Sequence, residues 1–186
     1  MKPAQFILTA AALLLLAACS EPAKPTPAEE AVNGYILRQN PSLEYFNFTR
    51  FTLADSVSFG QELERRERLF GTKITVERAS AAKYERKGMP TNAAKHRKEL
   101  QKAQRILRDL GKYRKAHEAV LDSVIYYIYE FDGYGYTVDN ARMQVSGMQA
   151  AVSPQDSVYQ MKSSEENVCA GMGRALPGYI EILKSK

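Results

Sequence analysis

Residues 100–131 read LQKAQRILRDLGKYRKAHEAVLDSVIYYIYEF, and the fold turns on a change of period inside this stretch. In the first part, apolar residues keep two heptad rows: Ala93, Leu100, Leu107 and Leu121 in one, Ala103, Leu110 and Val124 in the other, interrupted by Arg114 and His117. That spacing gathers them on one face of a helix. From Val124 the chain becomes β-branched and aromatic, a composition that suits a strand. Ile125, Tyr127, Tyr129 and Phe131 share one strand face and Val124, Tyr126 and Ile128 the other. Both faces are apolar, so this strand is expected to be central or covered on both sides. Asp132-Gly133 reads as the turn that ends it.

Upstream, Gly88-Met89-Pro90 separates two helical patterns. The second is predicted over 92–122. The first is predicted over 59–87, opened by a capping box of Ser58 and Gln61 and carried by Phe59, Leu63, Phe70, Ile74, Ala81 and Tyr84. Two helices of about 30 residues, each roughly 45 Å long, joined by so short a turn should pack as an antiparallel hairpin. Further out, Tyr45, Phe46, Phe48, Thr49, Phe51 and Thr52 predict a strand over 43–53. Residues 142–152 and 157–162, divided by Ser153-Pro154-Gln155-Asp156, predict two more. Ser163 with Glu166 proposes a short helix through about Gly173, while 177–183 fits either strand or helical turn. The fold class is therefore α+β: a long antiparallel helical hairpin packed with, or extending from, a small antiparallel β-sheet, in one domain over 35–186.

Pro22, Pro25 and Pro27 among Ala, Glu and Lys make residues 19–34 read as a flexible tether. Before it stand Lys2, an apolar run from Phe6 to Leu16, and the small residues Ala17 and Ala18. This is the order of a secretory signal, and the run is shorter than the roughly 20 apolar residues that a bilayer span requires. Leu16-Ala17-Ala18-Cys19 resembles the lipobox of bacterial lipoproteins. The resemblance implies removal of residues 1–18, lipidation of Cys19, and a chain held in the cell envelope, at the outer membrane, with the periplasmic face and the cell surface both left open. The hairpin beside a sheet is also similar to small lipoproteins of Bacteroidota that carry helices next to an antiparallel sheet. That likeness concerns architecture and implies no activity. With Cys19 used by lipid, Cys169 has no intrachain disulfide partner and reads as a small buried apolar residue.

Charge is the most informative property of the domain. Residues 64–115 carry 17 Lys and Arg against 6 Asp and Glu, while the flanking segments are acidic. Lys95, Arg97, Lys98, Lys102, Arg105 and Arg108 are expected on the solvent side of the second helix, and Arg65, Arg66, Arg68, Lys83, Arg86 and Lys87 on that of the first. One reading is contact with an anionic partner: a lipid head group, lipopolysaccharide, an acidic glycan or an envelope protein. The other is that long exposed helices carry charge for solubility. Nucleic acid is not an expected partner, since no recognition motif accompanies the charge.

Sites of chemistry are not legible. His96 and His117 lie about 31 Å apart if both are on one helix, too far to share a metal. No serine or cysteine has a histidine and an acid at recognisable spacing. GMGRALPG (171–178) lacks the Lys-Ser/Thr of a phosphate loop, and Glu130, Asp132 and Asp139 lack the spacing of a calcium loop, reading instead as hairpin solvation. No catalytic residue, metal or cofactor is expected; the expected role is structural or binding. Tyr134 and Tyr136, alternating with Gly133 and Gly135, are candidates for an exposed aromatic contact, whereas Tyr127 and Tyr129 read as core. A glycan- or peptide-binding sheet is therefore the alternative.

Overall fold

The computed structural model describes residues 24–184. The leader and Cys19 lie outside them. In chain order the elements are α1 (Pro27–Gln39), β1 (Leu43–Ser58), α2 (Phe59–Arg86), α3 (Pro90–Ala116), a 3-10 turn (Glu118–Val120), β2 (Val124–Thr137), β3 (Arg142–Val152), β4 (Val158–Ser163), a second 3-10 turn (Met172–Ala175) and α4 (Tyr179–Lys184). The four strands form one antiparallel meander in the order β1-β2-β3-β4. The predicted α+β class and the helical hairpin are both present.

The hairpin forms where the heptad rows place it. Ser58 caps α2 with its side chain on the Gln61 amide, and Gln61 reaches back to the Ser58 amide. Leu63 and Phe70 from α2 meet Ala103, Ile106 and Leu110 from α3, and Leu176 and Tyr179 close the base of the seam. A fully buried leucine such as Leu63 or Leu110 contributes about 1.5–3 kcal/mol through removal of its surface from water. α3 stops at Ala116 rather than running to 122. There Tyr113 and His117 stack beside Phe59, and the Phe59 and Gly60 amides donate to the Ser123 and Leu121 carbonyls. Residues 117–123 are thereby committed to turning the chain into β2.

Both sheet faces are covered around the first half of β2, as its doubly apolar pattern requires. On one side Val32 and Ile36 of α1 pack on Leu43, Phe46, Phe131, Ala150 and Val152. On the other Val168 and Met172 pack on Val57, Tyr126, Ile128 and Ala151. β2 does not turn at Asp132-Gly133; it runs on to Thr137. A Cβ at Gly133 would collide with the Phe46 ring, and one at Gly135 with the Tyr45 carbonyl, so both glycines serve close strand approach. β1 is likewise longer than predicted, reaching Ser58, with register slips near Glu44, Thr49 and Ala54 that curl the strand.

Three other expectations are corrected. Residues 27–34 are not tether: Thr26 and Glu29 form a capping box, and Ala28, Val32 and Ile36, at a spacing of four, anchor α1 to the sheet. Ser163 and Glu166 make a turn rather than a helix, since the chain must cross the sheet to deliver Val168 and Met172. Residues 179–184, left open as strand or helix, are helical.

Candidate functional site

Some cations of the hairpin have carboxylate partners and others do not; among the described residues the exposed Arg78, Lys83 and Arg86 of α2, Lys87 just after it, and Lys95 and Lys115 of α3 form no salt bridge. The partnered ones near the seam reach carboxylates on the other helix. Arg114 makes a two-pronged contact with Glu67, at 3.0 and 2.6 Å, and Lys73 reaches Glu99 at 2.8 Å. His96 meets Glu77 at 2.7 Å while its ring stacks on Tyr84. Arg97 also pairs, with Glu85, so it belongs to the seam and not to the outward set in which the sequence placed it.

Lys98, Lys102, Arg105 and Arg108 behave differently. They recur at helical spacing on the side of α3 away from α2 and line a shallow trough of about 600 Å³ together with Glu99 and Gln101. Among the described residues none of these four forms a salt bridge. Lys95 is exposed beside them but does not line the trough. The surplus field is felt by Glu99, whose carboxyl is held below its ordinary range by the Lys73 ammonium first, with Lys102 and Lys98 adding to it.

A buried ionic cluster ties the hairpin to the sheet, and sequence reasoning missed it. Glu62 is 0% exposed and Arg66 8%, although Arg66 was expected to face solvent. Arg66 Nε donates to Glu62 Oε1 at 2.6 Å, and its other end donates to the Cys169 carbonyl at 2.9 Å. The Tyr126 hydroxyl donates to Glu62 Oε2 at 2.8 Å and accepts from Arg65 at 2.8 Å. Burial, and then the Glu62 carboxylate, push the Tyr126 hydroxyl far above its ordinary pKa. Taking a carboxylate out of water costs several kcal/mol, which these converging donors offset. The cluster joins α2, β2 and the segment after β4, so its role is to fix how the hairpin leaves the sheet. An i, i+4 Glu-Arg pair is common on exposed helices, and only the tertiary packing of Tyr126 reveals that this one is buried.

The tyrosines sort by strand parity. Tyr126 is the buried one; Tyr129 packs beside the α1 cluster and Tyr127 is half-buried. Tyr134 and Tyr136 lie on the sheet face opposite α1, with ring centroids 6.3 Å apart, and Tyr136 meets Tyr45 of β1 at 5.7 Å. Between this row and the covered half of the same face stands a polar ladder. Arg50 bridges Asp132, at 2.8 Å, and Glu130, while Asp132 also accepts from the Gly147 amide at 2.7 Å. Arg50 first, then Gly147, hold the Asp132 carboxyl down to about 2. Glu130 and Asp132 are thus strand residues locked by an arginine rather than solvated hairpin tips, while Asp139 stands exposed in the β2–β3 turn.

A cleft of about 170 Å³ between α1 and the sheet is lined by Ile36, Phe46, Phe131, Met143, Met148 and Met161. It is smaller than the several hundred Å³ usual for small-molecule sites. No group of three or more His, Cys, Asp or Glu side chains among the described residues is arranged to hold a metal ion, and no described helix is long and apolar enough to cross a membrane. Comparison with known protein families, with curated proteins and with solved structures finds no match to this chain.

Proposed function

We propose that this is a lipid-anchored protein of the bacterial cell envelope with a binding role rather than a catalytic one, and that the outward stripe of α3 docks on a phosphate-bearing membrane surface. The observation that carries the reading is the separation of charge on the hairpin: cations near the seam are matched by carboxylates, whereas Lys98, Lys102, Arg105 and Arg108 share one trough and pair with no carboxylate among the described residues. Solubility alone would be served equally well by mixed signs on that face. Each basic residue near an anionic bilayer contributes roughly 1 kcal/mol, falling off within a Debye length of about 8 Å at physiological salt. Acyl chains on Cys19 supply the permanent anchor, at about 0.8 kcal/mol per buried methylene, and the stripe sets orientation. Because α1 begins at Pro27, the link from Cys19 spans at most about 28 Å, which keeps the domain close to the head groups.

The test is vesicle co-sedimentation of the processed chain carrying Cys19→Ser, which removes the acyl contribution. Binding to vesicles rich in phosphatidylglycerol is expected to fall steeply with salt and to weaken on the order of a thousandfold when Lys98, Lys102, Arg105 and Arg108 all become Gln. Equal binding to neutral phosphatidylcholine vesicles, or no change in the fourfold variant, would refute the docking surface. A mature product with an unmodified residue 19 would refute the anchor.

A further inference from the structure

The far end of the sheet carries a second exposed surface, unconnected with the basic stripe. Along the face opposite α1, cross-strand neighbours set Tyr45, Tyr136 and Arg142 in one row and Asn47, Tyr134 and Gln144 in the next. Tyr45 is 42% exposed, and Asn47, Arg142 and Gln144 are exposed as well. Val168 and Met172 cover the same face only as far as Ile128, and the Arg50–Asp132 ladder marks the limit of that cover. Among the described residues the hydroxyls of Tyr45, Tyr134 and Tyr136 make no protein hydrogen bond, and Arg142 has no carboxylate partner: its guanidinium rests over the Tyr134 ring, 5.4 Å from the centroid.

We infer that this surface binds an acidic saccharide, a chain of pyranose units bearing carboxylates. Aromatic faces offer apolar area to the C–H face of a sugar ring, while phenol hydroxyls and the amides of Asn47 and Gln144 match ring hydroxyls as donors or acceptors. Arg142 decides the charge of the ligand. Stacking on Tyr134 holds its planar fork in place, leaving its donors free for a bidentate carboxylate. Tyr45, Tyr134 and Tyr136 are not coplanar, with tilts of 39° and 87° between neighbours, so they form the walls of a bent seat rather than a flat platform. A flat apolar partner would leave those tilted rings and Arg142 without contacts; a ring-shaped, hydroxylated anion uses both.

The experiment is calorimetric titration of the full processed chain with an oligogalacturonate, against a neutral glucose oligomer of the same length and against poly-glutamate. Binding of the oligogalacturonate is expected, weakened about tenfold by Tyr134→Ala or by Tyr136→Ala and by a similar factor for Arg142→Gln. The variant with Gln at Lys98, Lys102, Arg105 and Arg108 should bind as the wild type does, which separates this site from membrane docking. The inference is overturned by absent binding, by equal affinity for the neutral oligomer, by preference for poly-glutamate, or by loss in the stripe variant with retention in Arg142→Gln. Arg142→Gln alters an exposed side chain, so its result does not depend on how the sheet tolerates loss of a ring.

Discussion

The two sides of α3 carry the same residue types in different circumstances. Facing α2, Arg97, Arg114 and His96 each sit against a glutamate, and at the root of the hairpin Arg66 is enclosed with Glu62. Facing away, Lys98, Lys102, Arg105 and Arg108 form no salt bridge among the described residues and line one trough. The difference teaches that the net charge of a helix says little about its use; what matters is which charges remain after the fold has matched the others. Matched cations tie the two helices together, and unmatched ones leave a positive field at the surface.

The largest effect should come from the most enclosed pair. Glu62→Gln leaves Arg66 buried without its counter-charge and replaces one of the two acceptor oxygens by an amide donor, so that Arg66 and the Tyr126 hydroxyl can no longer both be satisfied, and stability in a urea titration should drop by about 3–5 kcal/mol. A loss below about 1 kcal/mol would mean that the cluster tolerates water and does not fix the hairpin. A smaller effect is expected half-way out along the seam, where Arg114→Gln breaks a partly exposed two-pronged contact with Glu67 and should cost about 1 kcal/mol. Converting the four outward cations to Gln should change stability by no more than about 0.5 kcal/mol, because none of them forms a salt bridge among the described residues. If that variant unfolded as readily as Arg114→Gln, the division between matched and unmatched charge would fail. Smallest is a pH effect on the sheet. Asp132 has a carboxyl pKa held down to about 2, against about 3.9 in an unfolded chain. The native state therefore binds fewer protons, and the contribution of the Arg50–Asp132 pair is complete above about pH 4 and fades as pH falls toward 2. The gap in thermal midpoint between wild type and Arg50→Gln should shrink between pH 6 and pH 2; a constant gap would rule the linkage out.

The legibility of the fold followed the range of the interactions that make it. Heptad rows and the Ser58–Gln61 capping box are local, so the hairpin could be read directly. The doubly apolar run from Val124 likewise announced an interior strand. Boundaries set by distant partners were hidden: α3 ends where Phe59 meets Tyr113 and His117, and β2 passes Asp132-Gly133 because Phe46 lies over Gly133. α1 was misread for another reason. Its capping box at Thr26–Glu29 and its row Ala28, Val32, Ile36 are present in the sequence, but the prolines upstream gave the whole segment the composition of a linker. At the candidate sites, sequence spacing placed four of its six α3 cations, Lys98, Lys102, Arg105 and Arg108, on one side of the helix, and Tyr134 and Tyr136 on one strand face. It could not assign Arg97 to Glu85, bury Arg66, or bring Tyr45 and Arg142 to the tyrosines, since each depends on a contact across helices or strands.

The most direct measurement is lysine reactivity, read by mass spectrometry after brief amine acylation with and without anionic vesicles. Lys98 and Lys102 should be shielded on binding, while Lys73, paired with Glu99 near the seam, and Lys162, paired with Glu166 beside the sheet, should react as in the free protein. Shielding spread evenly over all four, or confined to Lys73 and Lys162, would contradict the account.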